Sequence, residues 1–164
     1  TALAYLHEAS KQSHDGLKLA VMFTAIESIL GEKGEGLTEQ IARRTSVLLC
    51  SNSDERREAH RFVKELYGYR SIAVHGSKWE SPETHIVDRV RSIAFLVVVS
   101  VLEWDEAAWR MGQVPSKHGR ALLEAITEAD FSGKQVVGVP KDVTEMAHRA
   151  LLSIDVSHLL RPDE

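Results

Sequence analysis

One cysteine in 164 residues is the first scarcity of this sequence, and it excludes a good deal. Cys50 has no partner for an intrachain disulfide, and no cysteine-based metal site can form around it. It closes the apolar run "SVLLC" and reads as a small buried residue, in a protein of the reducing cytoplasm. Long hydrophobic runs are missing too. The longest, Ile93 to Leu102, is interrupted by Ser100 and is too short to span a bilayer, so no membrane partner is expected. No signal peptide is legible, and the start at Thr1 rather than Met is expected of a piece of a longer protein.

Positive charge is not in excess, since the formal net charge is −4. Proteins that hold long nucleic acids by neutralising phosphates carry a basic face. Any nucleic-acid contact here is therefore expected to be a local pocket of Arg and His. Outside the stretch discussed below, the histidines fall into no H-E-x-x-H or similar ligand spacing, so no metal and no cofactor is implied. A Walker-type loop and a G-x-S-x-G elbow are also lacking. "GEKGEG" has the glycines of a phosphate loop without the preceding strand, and reads as a turn.

What the chain does have is helical periodicity. Leu19, Met22, Phe23, Ile26, Ile29 and Leu30 repeat at three- and four-residue steps after "HDG", where Asp15 is the expected N-cap. Leu37, Ile41, Thr45 and Leu48 mark the next helix. "SNSDERRE" opens another, with Asn52 or Ser53 as cap and Asp54 and Glu55 at the positive end of the helix dipole. Phe62, Leu66, Tyr69 and Ala73 are its expected buried stripe, ending near Gly76. Ser81 and Pro82 signal a further start, and Ile86, Val90, Ile93, Val97, Val101 and Trp104 continue beyond the length of a strand. Shorter helices are expected around Ala4 to Lys11, Gly119 to Ala129 and Val143 to Leu152, with "KQVVGVP" as a connector. The expected fold is an all-α antiparallel bundle in a single domain, 1–164, with extra C-terminal helices.

The stretch "ELYGYRSIAVHGSK" is the candidate for chemistry. Arg70 and His75 are five positions apart, which on an ideal helix separates them by roughly 140°. They meet only if the last turn loosens or if two copies face each other across a two-fold axis, gathering two Arg and two His. Arg offers a planar fork for phosphate oxygens, and His exchanges protons near neutral pH. RNA supplies its own nucleophile in the 2′-OH. The bare pattern has a bland reading as well. With twelve Arg and eight His in the chain, on the order of half an R-x4-H match arises by chance. Arg70 could then pair with a carboxylate while His75 caps the helix end.

The wider context of "LYGYRSIAVHG", Leu66 to Gly76, resembles the signature of the Apea-like branch of the HEPN superfamily. It has a Leu-Tyr pair, two spacers, Arg-Ser, three mostly apolar residues and His-Gly. Upstream, "FTAIESILG" and the paired basic residues of "IARRTSVLL" look like the same family. The resemblance runs from about Leu17 to Trp104, and the segment from Arg110 to the end, 110–164, is a C-terminal extension with no matching signature. It implies a HEPN-like helical bundle, frequently a homodimer, with the R-x4-6-H motif in a cleft between protomers. In active members that motif cleaves RNA without metal, in toxin–antitoxin pairs, antiviral defence systems and RNA-processing factors. Arg70 and His75 would be the catalytic pair. Ser71 follows the arginine where many active relatives carry Asn, Asp or His, a departure common in the Apea-like branch. Other members sense nucleotides or serve only in assembly, so a non-catalytic module is the alternative. The resemblance leaves open an antitoxin or a larger protein as partner.

Other residues have two readings each. Glu27 breaks an apolar helix face, and either anchors Arg70 from a neighbouring helix or lies exposed beside the stripe. Tyr69 is expected in the core, and Tyr67 lining the cleft or stacking on a base. Lys78 and Trp79 are candidate contacts to RNA backbone and base, although Trp79 also suits packing on its own bundle. Arg43, Arg44, Arg56, Arg57 and Arg61 alternate with acids and read as a solvated helix surface.

Overall fold

The computed structural model describes residues 1–32, 34, 36–75, 84–110, 118–136, 139–143 and 145–146, with positions 75, 84, 118 and 119 described through their helical backbone. Six helices carry the fold among these residues: α1 (Ala2–Lys11), α2 (Asp15–Leu30), α3 (Leu37–Leu49), α4 (Ser53–His75), α5 (Thr84–Arg110) and α6 (His118–Ser132). The segment "FLVVVSV" is helical within α5, because its apolar positions continue a longer three-and-four pattern. Lys141–Val143 is also helical, and the expected extension to Leu152 lies mostly outside the described residues, as do Ser81 and Pro82.

Local chemistry sets the ends. Asn52 caps α4 through Oδ1, which accepts from the backbone N–H of Asp54 at 3.1 Å and of Glu55 at 2.9 Å. The cap of α2 is His14 and not Asp15: His14 Nδ1 accepts from Gly16 N–H at 3.2 Å. Asp15 instead begins the helix and pairs with Lys18 at 2.7 Å, a carboxylate at the positive end of the dipole. At the other end of α2, Gly31 returns its N–H to the Glu27 carbonyl at 2.9 Å. A Cβ at Gly31 would stand 2.6 Å from that same oxygen, so the turn closes only on glycine.

α2 and α4 run in the same direction, as the pairs Phe23–Tyr67 and Glu27–Arg70 show, and α3 returns between them. α3 packs most extensively on α4, α1 on α2, and α2 on both α5 and α4. One buried cluster joins the six helices and reaches Val136, Val139 and Val143. Fully buried Leu19, Phe23, Ile26 and Leu30 put α2 at its centre. Glu39 of α3 holds α4 through His60 at 2.7 Å and Lys64 at 3.0 Å.

Cys50 is buried, and desolvation together with the nearby Glu55 carboxylate pushes its thiol up to about 12. A thiol reagent such as DTNB at pH 8 should leave the native chain unlabelled and label it only in denaturant. Rapid labelling of the folded protein would contradict this burial.

The basic cluster is not a uniformly solvated face. Arg57 and Arg61 are exposed, and Arg43 reaches across to Asp130 of α6 at 2.5 Å. Arg44 turns back to the Leu30 carbonyl at 2.6 Å and to Glu32. Arg56 is 8% exposed and donates to three backbone carbonyls: Cys50 at 3.2 Å, Ala129 at 3.0 Å, and Lys134. Ala129 is among the last four residues of α6, whose carbonyls lack intrahelical partners, and Cys50 terminates α3. Arg56 thus closes two helix C-termini with one guanidinium.

Candidate active site

α4 carries its core stripe at Ala59, Val63 and Leu66, and the same three-and-four steps reach Arg56 below and Arg70 above. Arg70 is thereby turned toward α2 near the upper end of the bundle. There it meets Glu27, the one carboxylate on the α2 face that packs against α4. Arg70 Nη2 donates to Glu27 Oε2 at 3.4 Å. Its Nε lies 3.1 Å from Oε1, but the N–H is not aimed at that oxygen and has no acceptor. The contact is an ion pair with one long hydrogen bond, and it leaves most of the guanidinium donors unused.

Tyr67 completes the group. Its hydroxyl donates to Glu27 Oε1 at 2.6 Å, and its ring lies 5.5 Å from Arg70 Cζ. The ring stands edge-to-face on Phe23, with centroids 5.1 Å apart and planes at 73°. Only 5% of Tyr67 is exposed, so its ring is not free to stack on a base. The expectation for the two tyrosines is reversed: Tyr67 is the core residue and Tyr69 is half-buried at the edge. Both positions fall near the buried arc of α4, and the partner at Phe23 decides which one goes in. Ala73, expected in the stripe, is likewise half-buried.

Side-chain exposure is 24% for Arg70 and 16% for Glu27, so the pair is partly sheltered and still reaches solvent. Ser71, Ile72 and Val74 are exposed on the remaining turns. His75 is the last residue of α4, and the helix is continuous from Arg70 to it. The loosened last turn is therefore absent, and the two positions stay roughly 140° apart around the axis of one chain. Lys78 and Trp79 lie outside the described residues.

Burial, and then the Glu27 carboxylate that accepts its hydrogen bond, raise the Tyr67 hydroxyl above the ordinary phenol range. The folded-state pKa exceeds the unfolded one, so this contribution to stability is complete below about pH 10 and is lost as pH rises toward the folded value. Tyr67→Phe should cost about 1 kcal/mol in urea denaturation at pH 7. It should also flatten the loss of stability above about pH 10. An unchanged alkaline profile would remove Tyr67 from this role. Glu27→Leu strands both Tyr67 Oη and Arg70, and a loss of roughly 2 kcal/mol is expected.

Comparison with family models, curated proteins and solved structures finds no match. The site is accordingly judged on its own geometry, within an all-α bundle. Among the described residues, no helix is long and apolar enough to cross a membrane. No three His, Cys, Asp or Glu side chains among them converge as metal ligands would.

Arg56 is the residue that sequence reasoning missed. Its signal was available, since Arg56 sits three positions before Ala59 on the buried stripe, but the flanking charges of "DERRE" concealed it.

Proposed function

We propose that this chain is a HEPN-type, metal-independent endoribonuclease or the ribonuclease module of a larger protein, in which Arg70 and His75 act on RNA from two copies of the chain. The observation that carries this reading is the state of Arg70. It is oriented by Glu27 and backed by Tyr67, partly exposed, and left with most of its donors free, five positions before a histidine at the helix end.

Glu27 and Tyr67 are positioning residues that hold the fork for a phosphodiester. One His75 takes the proton of the ribose 2′-OH as O2′ bonds to phosphorus. The P–O5′ bond breaks, and the His75 of the second copy protonates the departing O5′. Arg70 neutralises the charge that accumulates on the phosphate oxygens. The products are a 2′,3′-cyclic phosphate and a 5′-OH. Because about 140° separates Arg70 from His75 on one helix, a two-fold pair of chains is the arrangement that brings both types together.

The test is incubation of the chain with single-stranded RNA in EDTA, with its mass in solution measured in parallel. Cleavage to cyclic-phosphate ends by a dimer is the expected result. Intact RNA beside a well-folded dimer would overturn the proposal. A second reading is favoured by the Glu27–Arg70 pair itself, which already satisfies part of the arginine. There the pair only ties α4 to α2 within a nucleotide-sensing or assembly module. Arg70→Ala would then cost stability, and RNA would remain uncut.

A further inference from the structure

Helix α5 is apolar on two faces. Ile86, Val90, Ile93, Val97 and Trp104 are buried in the chain's own core. On the opposite face Phe95, Leu102 and Trp109 are 53%, 54% and 68% exposed, with half-buried Val99 between the first two. Phe95, Val99, Leu102, Glu106 and Trp109 follow one another in alternate steps of four and three, which keeps them within roughly 80° of arc around the helix. A single exposed apolar residue needs no explanation, but large ones in register along one seam mark a contact surface. The steps are those of a coiled-coil seam. A helix that is apolar on both sides gains by burying both.

We infer that this seam is the surface through which two copies of the chain pair, α5 against α5, antiparallel about a two-fold axis near Val99. The inference rests on the proposed function only for the need of two copies; the surface itself is carried by α5. Charge selects the partner and its direction. One end of the seam carries Asp88 and Arg91, the other Glu106 and Arg110, and all four are exposed. Among the described residues they pair only along their own helix, Arg91 with Asp88 at 2.7 Å and Arg110 with Glu106. Exposed pairs of this kind contribute little and are free to rearrange. With antiparallel helices centred near Val99, Asp88 faces Arg110 of the second copy and Arg91 faces Glu106 of the second copy, twice over by symmetry. Phe95 then faces Leu102 of the second copy. Parallel helices would instead set Asp88 against Asp88 and Arg91 against Arg91. The seam is thus complementary to itself in one direction only.

Analytical ultracentrifugation of the full chain tests this, and a dimer is the expected result. Phe95→Glu and Leu102→Glu should each weaken pairing at least about a hundredfold, because a carboxylate would be buried in the seam. Both should leave the circular dichroism of the chain unchanged, since the two positions are exposed in a single copy. Arg91→Glu should weaken pairing about tenfold by setting carboxylates against each other, and combining it with Glu106→Arg should restore pairing. That rescue requires a partner with the same sequence in antiparallel register. Should a seam variant misfold, the charge variants carry the comparison, because they alter exposed residues alone. A wild-type chain that stays monomeric overturns the assignment and leaves the seam to a different protein. A dimer that survives both seam substitutions overturns it too, as does a charge reversal without rescue. RNA cleavage in EDTA is read on the same samples. Cleavage by a dimer that the seam variants do not disturb removes the seam and keeps the nuclease reading. Uncut RNA beside a dimer that those variants dissociate removes the nuclease reading and keeps the seam.

Discussion

Replacing His75 with alanine is expected to lower RNA cleavage in EDTA by about 10²- to 10⁴-fold while leaving the helical fold unchanged, which circular dichroism would check. The size follows from the role. In each half of the reaction, one imidazole moves a proton that water would otherwise have to move. His75 is the terminal residue of α4, beyond the buried stripe of Ala59, Val63 and Leu66. Arg70→Ala should reduce cleavage as strongly, through lost charge neutralisation, and should also cost stability because Glu27 loses its cation. The contrast between the two variants is diagnostic. A His75 variant that still cleaves at the parental rate would place the activity elsewhere. An Arg70 variant that is merely less stable, with full activity once folded, would reduce the Glu27 pair to a tie between helices.

Arg56→Ala should destabilise the chain by roughly 3 kcal/mol or more, as much as truncating a core side chain. The guanidinium donates to the carbonyls of Cys50, Ala129 and Lys134, which end α3, line the last turn of α6 and begin the segment after it. Alanine leaves three acceptors facing a site that was 8% exposed, with a void where the side chain lay. Each orphaned carbonyl costs about 1–3 kcal/mol where water cannot enter, and partial hydration lowers the sum. For a chain of this length, a loss of 3 kcal/mol corresponds to a fall in Tm on the order of 10 °C. Arg56→Lys should recover part of the loss, because an ammonium keeps the charge but cannot reach three divergent acceptors. Urea denaturation decides the matter. An alanine variant within about 0.5 kcal/mol of the parent would show that these carbonyls are satisfied by water.

Arg56 and Arg70 share a lesson about what can be read from α4. Ala59, Val63 and Leu66 define its buried arc, and both arginines extend that arc by one further step. Their burial follows from spacing, but what each touches does not. Arg56 finds carbonyls 73 and 78 positions away, and Arg70 finds a carboxylate 43 positions away. Glu27 announced in the sequence that it needed a partner, because a carboxylate beside an apolar face is costly alone. Two candidate tyrosines lay near the same arc, and only the position of Phe23 on the parallel α2 selects Tyr67. The cap of α2 is His14 in place of the expected Asp15 for a related reason. Asp and His can both accept from a helix N-terminus, and the chain conformation before α2 gives that place to His14.

The sequence by itself determined the all-helical fold, the approximate span of each helix, the buried state of Cys50 and the placement of Arg70 and His75 on one helix. These rest on interactions three and four residues apart, and a periodic pattern records them directly. Tertiary structure alone decided that Glu27, Tyr67 and Arg70 form one hydrogen-bonded group, that Arg56 closes two helix ends, and that Arg89 lies over the Phe62 ring. Those facts depend on how separate helices are rotated and offset against one another. Apolar packing sets that arrangement through the whole core at once, and no local stretch of sequence encodes it.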